Sequence, residues 1–418
     1  MPQRKTTRQP KTIGLSLIKR SKSEEFDRKA TSHAPRHQRN ASTHQRIVET
    51  SVIYSKEETL ATVISPWGDA ERAQGHVNQY HILKDIGTGS YGRVVLVRSD
   101  QTGLYYACKI ISKSRLRRKF RFMPAQPGGP SLPATQKTCI DDEIMATIKR
   151  EVAVLKKLSM HPNIVNLVEV LDDAKEDNIY MIFDLCEYGP VMEITIGQPA
   201  RPFSEELARK YFRDVVLGLE YLHYKRIIHR DLKPENLLRT AENVVQIGDF
   251  GISHMFDEGD DEEGMPNNKN GSPLYCPPEA CLGETRKLNG KSLDIWSLGV
   301  TLYCFVHGRC PWEDESVVEL CRMIVNESFA VSDTLSDTLK DLLYRMMEKN
   351  PKNRIQLPQI KVHAWVTNNG KEPMMSTDEN CVFEDVTEEE VAQAFRPAMM
   401  FVNKIMSKFK SSQDYEDA

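Results

Sequence analysis

The sequence contains no C-x-x-C pair, no run of 18 apolar residues and no strong excess of either charge. Each absence closes off a class of protein. Nine cysteines (108, 139, 186, 276, 281, 304, 310, 321 and 381) are scattered and odd in number. They argue against a disulfide framework or a structural zinc site, and for a reducing cytosol or nucleus. The longest apolar stretch, residues 298–306, carries Thr301 and Cys304 and is about half the length a bilayer needs, so no membrane span is expected. The opening MPQRKTTRQPKT lacks an apolar h-region, so no secretory signal is expected. With 56 Lys+Arg against 59 Asp+Glu, the net charge of −3 sets up no global field for nucleic acid or membrane. At 418 residues, 40% hydrophobic and 28% charged, the composition is that of a soluble globular protein. The length allows one large domain with tails, or two to three modules.

Charge is unevenly spread. Residues 1–50 hold 12 Lys/Arg against 4 Asp/Glu, with many Ser, Thr and Gln and almost no aromatics. Such a stretch cannot bury enough apolar surface to offset chain entropy, so residues 1–79 are expected to form a disordered basic arm. A solvated tail and a nucleic-acid or acidic-membrane contact are both open for it. From Tyr80 short β-branched and aromatic runs separated by turn residues read as strands, up to 104–111. Residues 114–139 interrupt them with Arg115, Arg117, Arg118, Lys119 and Arg121, then a Pro/Gly-rich stretch expected to be irregular. Ile144, Ile148, Val152, Leu155 and Leu158 recur at helical spacing, and strand-like runs return at 164–171 and 179–185. Helices are expected at 204–224, 291–309, 315–326 and 335–348. Strands early and helices late suggest two lobes. The chain after Trp365 is acidic and thin in core residues until Val391.

Gly87, Gly89 and Gly92 form a G-x-G-x-x-G followed by Val94. Glycines allow backbone N–H groups to approach phosphates closely. Dinucleotide folds share this spacing, but here the glycines lie between two strands, and no acidic residue stands about 20 positions on, where a ribose needs one. Instead Lys109 lies 17 residues past Gly92, in a strand, placed to hold α/β-phosphates as a point charge. Its natural partner is Glu151, on the helix at 143–158; unrelated exposed positions for the two are the alternative.

His229-Arg230-Asp231-Leu232-Lys233-Pro234-Glu235-Asn236 follows, and Asp249-Phe250-Gly251 begins thirteen residues after Asn236. This ordered set resembles the catalytic loop and magnesium-binding segment of protein kinases, over residues 80–365. The resemblance implies an α+β bilobal fold: a small antiparallel β-sheet N-lobe with one main helix, and a large helical C-lobe. It implies ATP and Mg²⁺ as cofactors. Phosphoryl transfer is mostly positioning and charge stabilisation. Asp231 would accept the substrate hydroxyl proton and Lys233 would steady the γ-phosphate. Asn236 and Asp249 are hard oxygen ligands for Mg²⁺. Ile86, Val94, Ala107 and Leu238 would sandwich the adenine, Phe183 would close the back of the pocket, and the hinge would run from Asp184 to Cys186. Pro277-Pro278-Glu279 resembles A-P-E, with Arg354 the expected buried partner of Glu279, and Asp294 would anchor the catalytic-loop backbone. The K-P-E-N loop and Ser272, expected against Asp231 and Lys233, favour Ser/Thr specificity. Lys109, Asp231 and Asp249 argue against an inactive scaffold; Pro277-Pro278-Glu279, Ser272 and a long activation segment argue against a metabolite kinase.

The basic insert at 114–139 between Lys109 and Glu151, together with Gly189-Pro190-Val191-Met192-Glu193 and Trp365-Val366-Thr367-Asn368-Asn369-Gly370, resembles the calcium/calmodulin-dependent protein kinase kinases. Yeast and plant activators of the AMP-activated protein kinase family share part of the pattern. The resemblance implies other kinases as substrates, phosphorylated on an activation-loop threonine, and calmodulin as a partner. A helix is expected at 391–410 in the regulatory tail 366–418. Phe395, Met399, Val402, Met406 and Phe409 share one face, with Arg396, Lys404, Lys408 and Lys410 supplying positive charge. Docking on the protein's own C-lobe or on a membrane is the alternative, and the family's Trp anchor is absent. The activation segment carries Lys269 near the position where many kinases are phosphorylated, so Arg230 needs another anion; residues 257–263 are acidic. A monomer in the cytoplasm or nucleus, without nucleic acid, completes the expectation.

Overall fold

The computed structural model describes residues 75–89, 92–115, 161–173, 176–256, 271–282, 288–381 and 395–396, together with Val152, Val154, Leu155 and Leu158. The N-terminal lobe is a sheet whose order is β1-β2-β3-β4-β6-β5-β12. β1 (Gly75–Val77), β2 (Tyr80–Gly89), β3 (Gly92–Ser99) and β4 (Tyr105–Ser112) form an antiparallel meander, and β5 (Leu167–Asp172) and β6 (Asn178–Asp184) extend it. Alternation along β4 sends Cys108 and Ile110 into a small apolar core with Val95, Val97 and Tyr180, and leaves Ala107 and Lys109 on the opposite face. The described part of the lobe already includes β1, five residues before Tyr80. Val77 is fully buried and Asn78, in the left-handed region, turns the chain into β2, so residues 75–79 are not part of a disordered arm.

The larger lobe is built on α1 (Glu205–Tyr224) and α3 (Gly290–His307), with the short α2 (Pro278–Cys281) between them and α4 (Val317–Asn326), α5 (Asp337–Met346) and α6 (Leu357–Lys361) after them. Serines start three of these helices: Ser204, Ser316 and Ser336 accept from the N–H groups of Leu207, Glu319 and Leu339. α3 is buried on nearly every side, which accounts for the apolar run at 298–306: it is a core helix, and no described helix is long and apolar enough to cross a membrane. Gly308 ends it at φ 71°, where a Cβ would meet the Ala200 carbonyl oxygen at 2.0 Å, so only glycine fits. Against α1 lies a small sheet of β7 (Gly189–Pro190), β9 (Leu237–Arg239) and β10 (Val245–Ile247), and a second ribbon pairs β8 (Ile227–Ile228) with β11 (His254–Met255).

Two expectations for the tail change. Residues 366–381, expected to be thin in core residues, add buried side chains. Val366 and Cys381 are buried, and between them α7 (Thr377–Asn380) packs on α1. Phe395 and Arg396, expected within a helix, form β12, paired in parallel with Val170 and Leu171 of β5. The open edge of β5 offers unpaired backbone groups, and an extended segment satisfies them where a helix cannot. Met399, Val402, Met406 and Phe409 lie outside the described residues, as do most of the 114–139 insert, the acidic run at 257–263 and Lys269.

Candidate active site

The loop at 229–236 is shaped by one buried carboxylate. Asp294, in α3 and fully inaccessible, accepts from the backbone N–H of His229 (3.0 Å) and Arg230 (2.8 Å), and its Oδ2 pairs with His223 Nε2 at 2.9 Å. This holds Arg230 at φ 71°, a backbone state that L-residues rarely adopt. The expected anchoring place of Asp294 is therefore where the geometry puts it. His229 accepts from the Asp231 N–H at Nδ1 (3.3 Å), so its Nε2 carries the proton and donates to the Gly248 carbonyl at 3.0 Å. The loop and the segment entering Asp249 are thereby tied together.

Four side chains converge at the loop. Lys233 Nζ donates to Asp231 Oδ2 and to Ser272 Oγ, both at 2.7 Å. The Ser272 N–H donates to Asp231 Oδ1 at 3.0 Å. Asn236 Nδ2 donates to the Asp231 carbonyl (2.8 Å) and to its Oδ2 (3.0 Å). These contacts fix the Asp231 carboxylate in orientation. Asn236 is held with its amide nitrogen turned to Asp231. Neither Asn236 Oδ1 nor Asp249 Oδ2 accepts a hydrogen bond from the described residues. Both are hard oxygens of the type that magnesium prefers.

Asp249 takes φ 58°, and Phe250, 3% exposed, packs edge-on against His229. Lys109 reaches across from β4 to Asp249 Oδ1 at 3.1 Å. The Lys109 charge holds the Asp249 carboxyl below the usual carboxylate range, against the opposing effect of burial. Glu151 lies outside the described residues; its helical neighbours Val152, Val154 and Leu155 are buried in the main core.

Above this cluster, β2 and β3 close at Gly89 and Gly92. A Cβ on Gly92 would stand 1.7 Å from the Ile110 carbonyl oxygen, so the turn can pack on β4 only with glycine there. Gly87 pairs with Val94, Val94 with Lys109 and Ala107 with Phe183. Val94, Ala107, Phe183 and Leu238 are half-buried and Ile86 is 43% exposed. Asp184 donates its N–H to the Asn166 carbonyl at 3.1 Å, and Cys186 Sγ donates to Gln246 at 3.3 Å, fixing the connection between lobes.

Below it, Arg354 grips Glu279 through two parallel contacts of 2.8 and 3.0 Å and donates to Ser292 as well. The guanidinium is fully buried, so the pair is structural, as expected from the sequence. The sequence did not disclose a second buried cluster on the far side of α1. There Glu220 accepts from Lys361 with both oxygens at 2.7 Å, from Thr377 at 2.7 Å and from Asn380 at 2.9 Å. Its members come from distant segments with no local motif; an acidic residue within the apolar face of α1 was the available signal.

The model of the family described as "Protein kinase domain" matches residues 80–366. The chain is 39% identical over 331 residues to a calcium/calmodulin-dependent protein kinase kinase of Caenorhabditis elegans, covering 78% of this chain and 60% of that protein. It is 35% identical over 397 residues to the calcium/calmodulin-dependent protein kinase kinase cmkC of Emericella nidulans, covering 90% and 74%. It is also 38% identical over 299 residues to the serine/threonine-protein kinase GRIK2 of Arabidopsis thaliana, covering 72% and 68%.

Proposed function

The chain belongs to the protein kinase family, and from that premise we propose that it transfers the γ-phosphoryl group of ATP to activation-loop threonines of other protein kinases. The observation that carries the reading is the convergence of Lys233, Ser272 and Asn236 on the Asp231 carboxylate within 2.7–3.0 Å. Asp231, held in orientation, takes the proton of the attacking hydroxyl. Lys233, already beside it, neutralises charge on the transferring group. Asn236 and Asp249 would hold Mg²⁺, which would neutralise phosphate charge, and Lys109, which fixes Asp249, would meet the α/β-phosphates. Bound ATP supplies the phosphoryl group and the leaving oxygen. Ser272 joins the cluster in the arrangement expected for a Ser/Thr kinase, and the 114–139 insert contributes to substrate choice.

The tail carries the regulatory part of the reading. Residues 391–410 combine apolar residues at helical spacing with basic charge, and the names of two relatives speak of calmodulin. In this reading Ca²⁺-calmodulin takes the segment as a helix, and the protein acts as a cytoplasmic monomer without prior activation-loop phosphorylation. The test is transfer from Mg-ATP to a panel of catalytically dead kinases, with and without Ca²⁺-calmodulin, beside an Asp249→Ala control. Activation-loop threonine labelling that rises with calmodulin is expected. Labelling that ignores calmodulin removes the regulatory part alone, and labelling no greater than the control removes the enzyme reading.

A further inference from the structure

The family model ends at residue 366, yet the chain beyond it makes a buried polar contact with the loop that enters the N-terminal sheet. Asn380 is 3% exposed and every polar atom of its side chain is used. Its Nδ2 donates to the Leu217 carbonyl (3.0 Å) and to Glu220 Oε2 (2.9 Å). Its Oδ1 lies 3.1 Å from His161 Nε2. His161 accepts from the Asn163 N–H at Nδ1 (3.1 Å), so the proton sits on Nε2 and points at Asn380. The ring stacks on Tyr221 of α1 at 4.6 Å. The amide is thus oriented from both sides, and the loop at 161–163 is held between α1 and the tail.

That loop leads directly to the metal-binding carboxylate. Asn163 Nδ2 donates to the Val245 carbonyl at 3.0 Å, and the Ile247 N–H donates to the Asn163 carbonyl at 2.9 Å. The Val165 N–H in turn donates to the Ile247 carbonyl at 3.0 Å. Asp249 follows β10 by two residues. There is little slack on the α1 side: a Cβ on Gly218 would stand 2.8 Å from the Asn163 carbonyl oxygen.

We propose that Asn380 is a positioning residue for phosphoryl transfer: through His161 and Asn163 it sets the register of β10 and hence the place of Asp249. The segment 371–381 then belongs to the catalytic unit and is not only a link to the tail. The idea rests on the kinase reading, but one of its readouts does not.

The test compares three variants of the full chain. Asn380→Leu deletes the lock; Gly218→Ala presses on the same loop from α1; Arg213→Ala loosens the same segment elsewhere, where the guanidinium holds the Val366, Glu372 and Pro373 carbonyls. Asn380→Leu and Gly218→Ala are expected to raise KM for Mg-ATP and lower kcat/KM about tenfold. Arg213→Ala is expected to lower the melting temperature with both constants unchanged. Hydrogen exchange at the Val245 and Ile247 amides is expected to quicken in the first two variants and not in the third. Unchanged ATP constants in both, or an equal shift in Arg213→Ala, overturn the proposal. Should Asn380→Leu fail to fold, Gly218→Ala and its exchange decide. A parent chain without transfer activity overturns the kinase reading, and the exchange comparison still judges the positioning claim.

Discussion

The cleft and the back of α1 use buried charge in opposite ways. In the cleft, Asp249 is fixed by Lys109 through one oxygen, and its side chain stays 40% accessible. On the back, Glu220 and Lys361 are closed off, with 9–10% of either side chain accessible, and their partners are all protein atoms. The first arrangement leaves valence for a ligand; the second leaves none. A buried charge that is fully paired specifies geometry, and one that is only partly paired is available for chemistry.

The largest effect that separates the two regions comes from Asp231→Asn. It removes the base and keeps the side chain's size, at the cost of one accepted hydrogen bond, so kcat should fall on the order of 10²–10⁴-fold with the melting temperature lowered only slightly. Transfer assays and calorimetry on the same preparation read both. Arg354→Met belongs to the opposite class. It strands Glu279, and denaturant unfolding should show a loss of about 3–5 kcal/mol, largely recovered when Glu279→Leu removes the second partner.

A pH series sharpens the contrast on the back of α1. Burial pushes the His161 imidazole down to about 4, so it is neutral in the fold and the unfolded chain binds the extra proton. Its stability contribution is complete above about 6.5 and is lost as pH falls toward 4, a loss of up to about 3 kcal/mol. Asp214, whose Oδ2 accepts from the Val245 N–H, has the reverse sign. Burial raises its carboxyl to about 6, so the ionised form opposes folding and the cost is relieved as pH falls through that value. Unfolding midpoints between pH 7 and 4 should flatten in His161→Phe and steepen in Asp214→Asn. The smallest effect is expected for Ser204→Ala, a lost helix cap worth about 1 kcal/mol, with transfer constants unchanged.

The cleft was legible in the sequence because its chemistry prescribes residue types at fixed spacing. Asp231, Lys233 and Asn236 fall within six residues, and Asp249 stands thirteen further on. The helices at 204–224 and 291–309 were legible from periodicity, and their serine and glycine boundaries moved the ends by only a residue or two. The lock around Asn380 was not legible: its partners lie up to 219 residues apart, and nothing local marks them. The strand at Phe395–Arg396 was misread because helical spacing of apolar residues says nothing about an open sheet edge that competes for the same backbone.

The most direct test of the account is a side-by-side determination of kcat and Mg-ATP KM for the parent, Asp231→Asn and Asn380→Leu. The account predicts that Asp231→Asn loses kcat at unchanged KM, and that Asn380→Leu raises KM. Transfer by Asp231→Asn at the parent rate would contradict it.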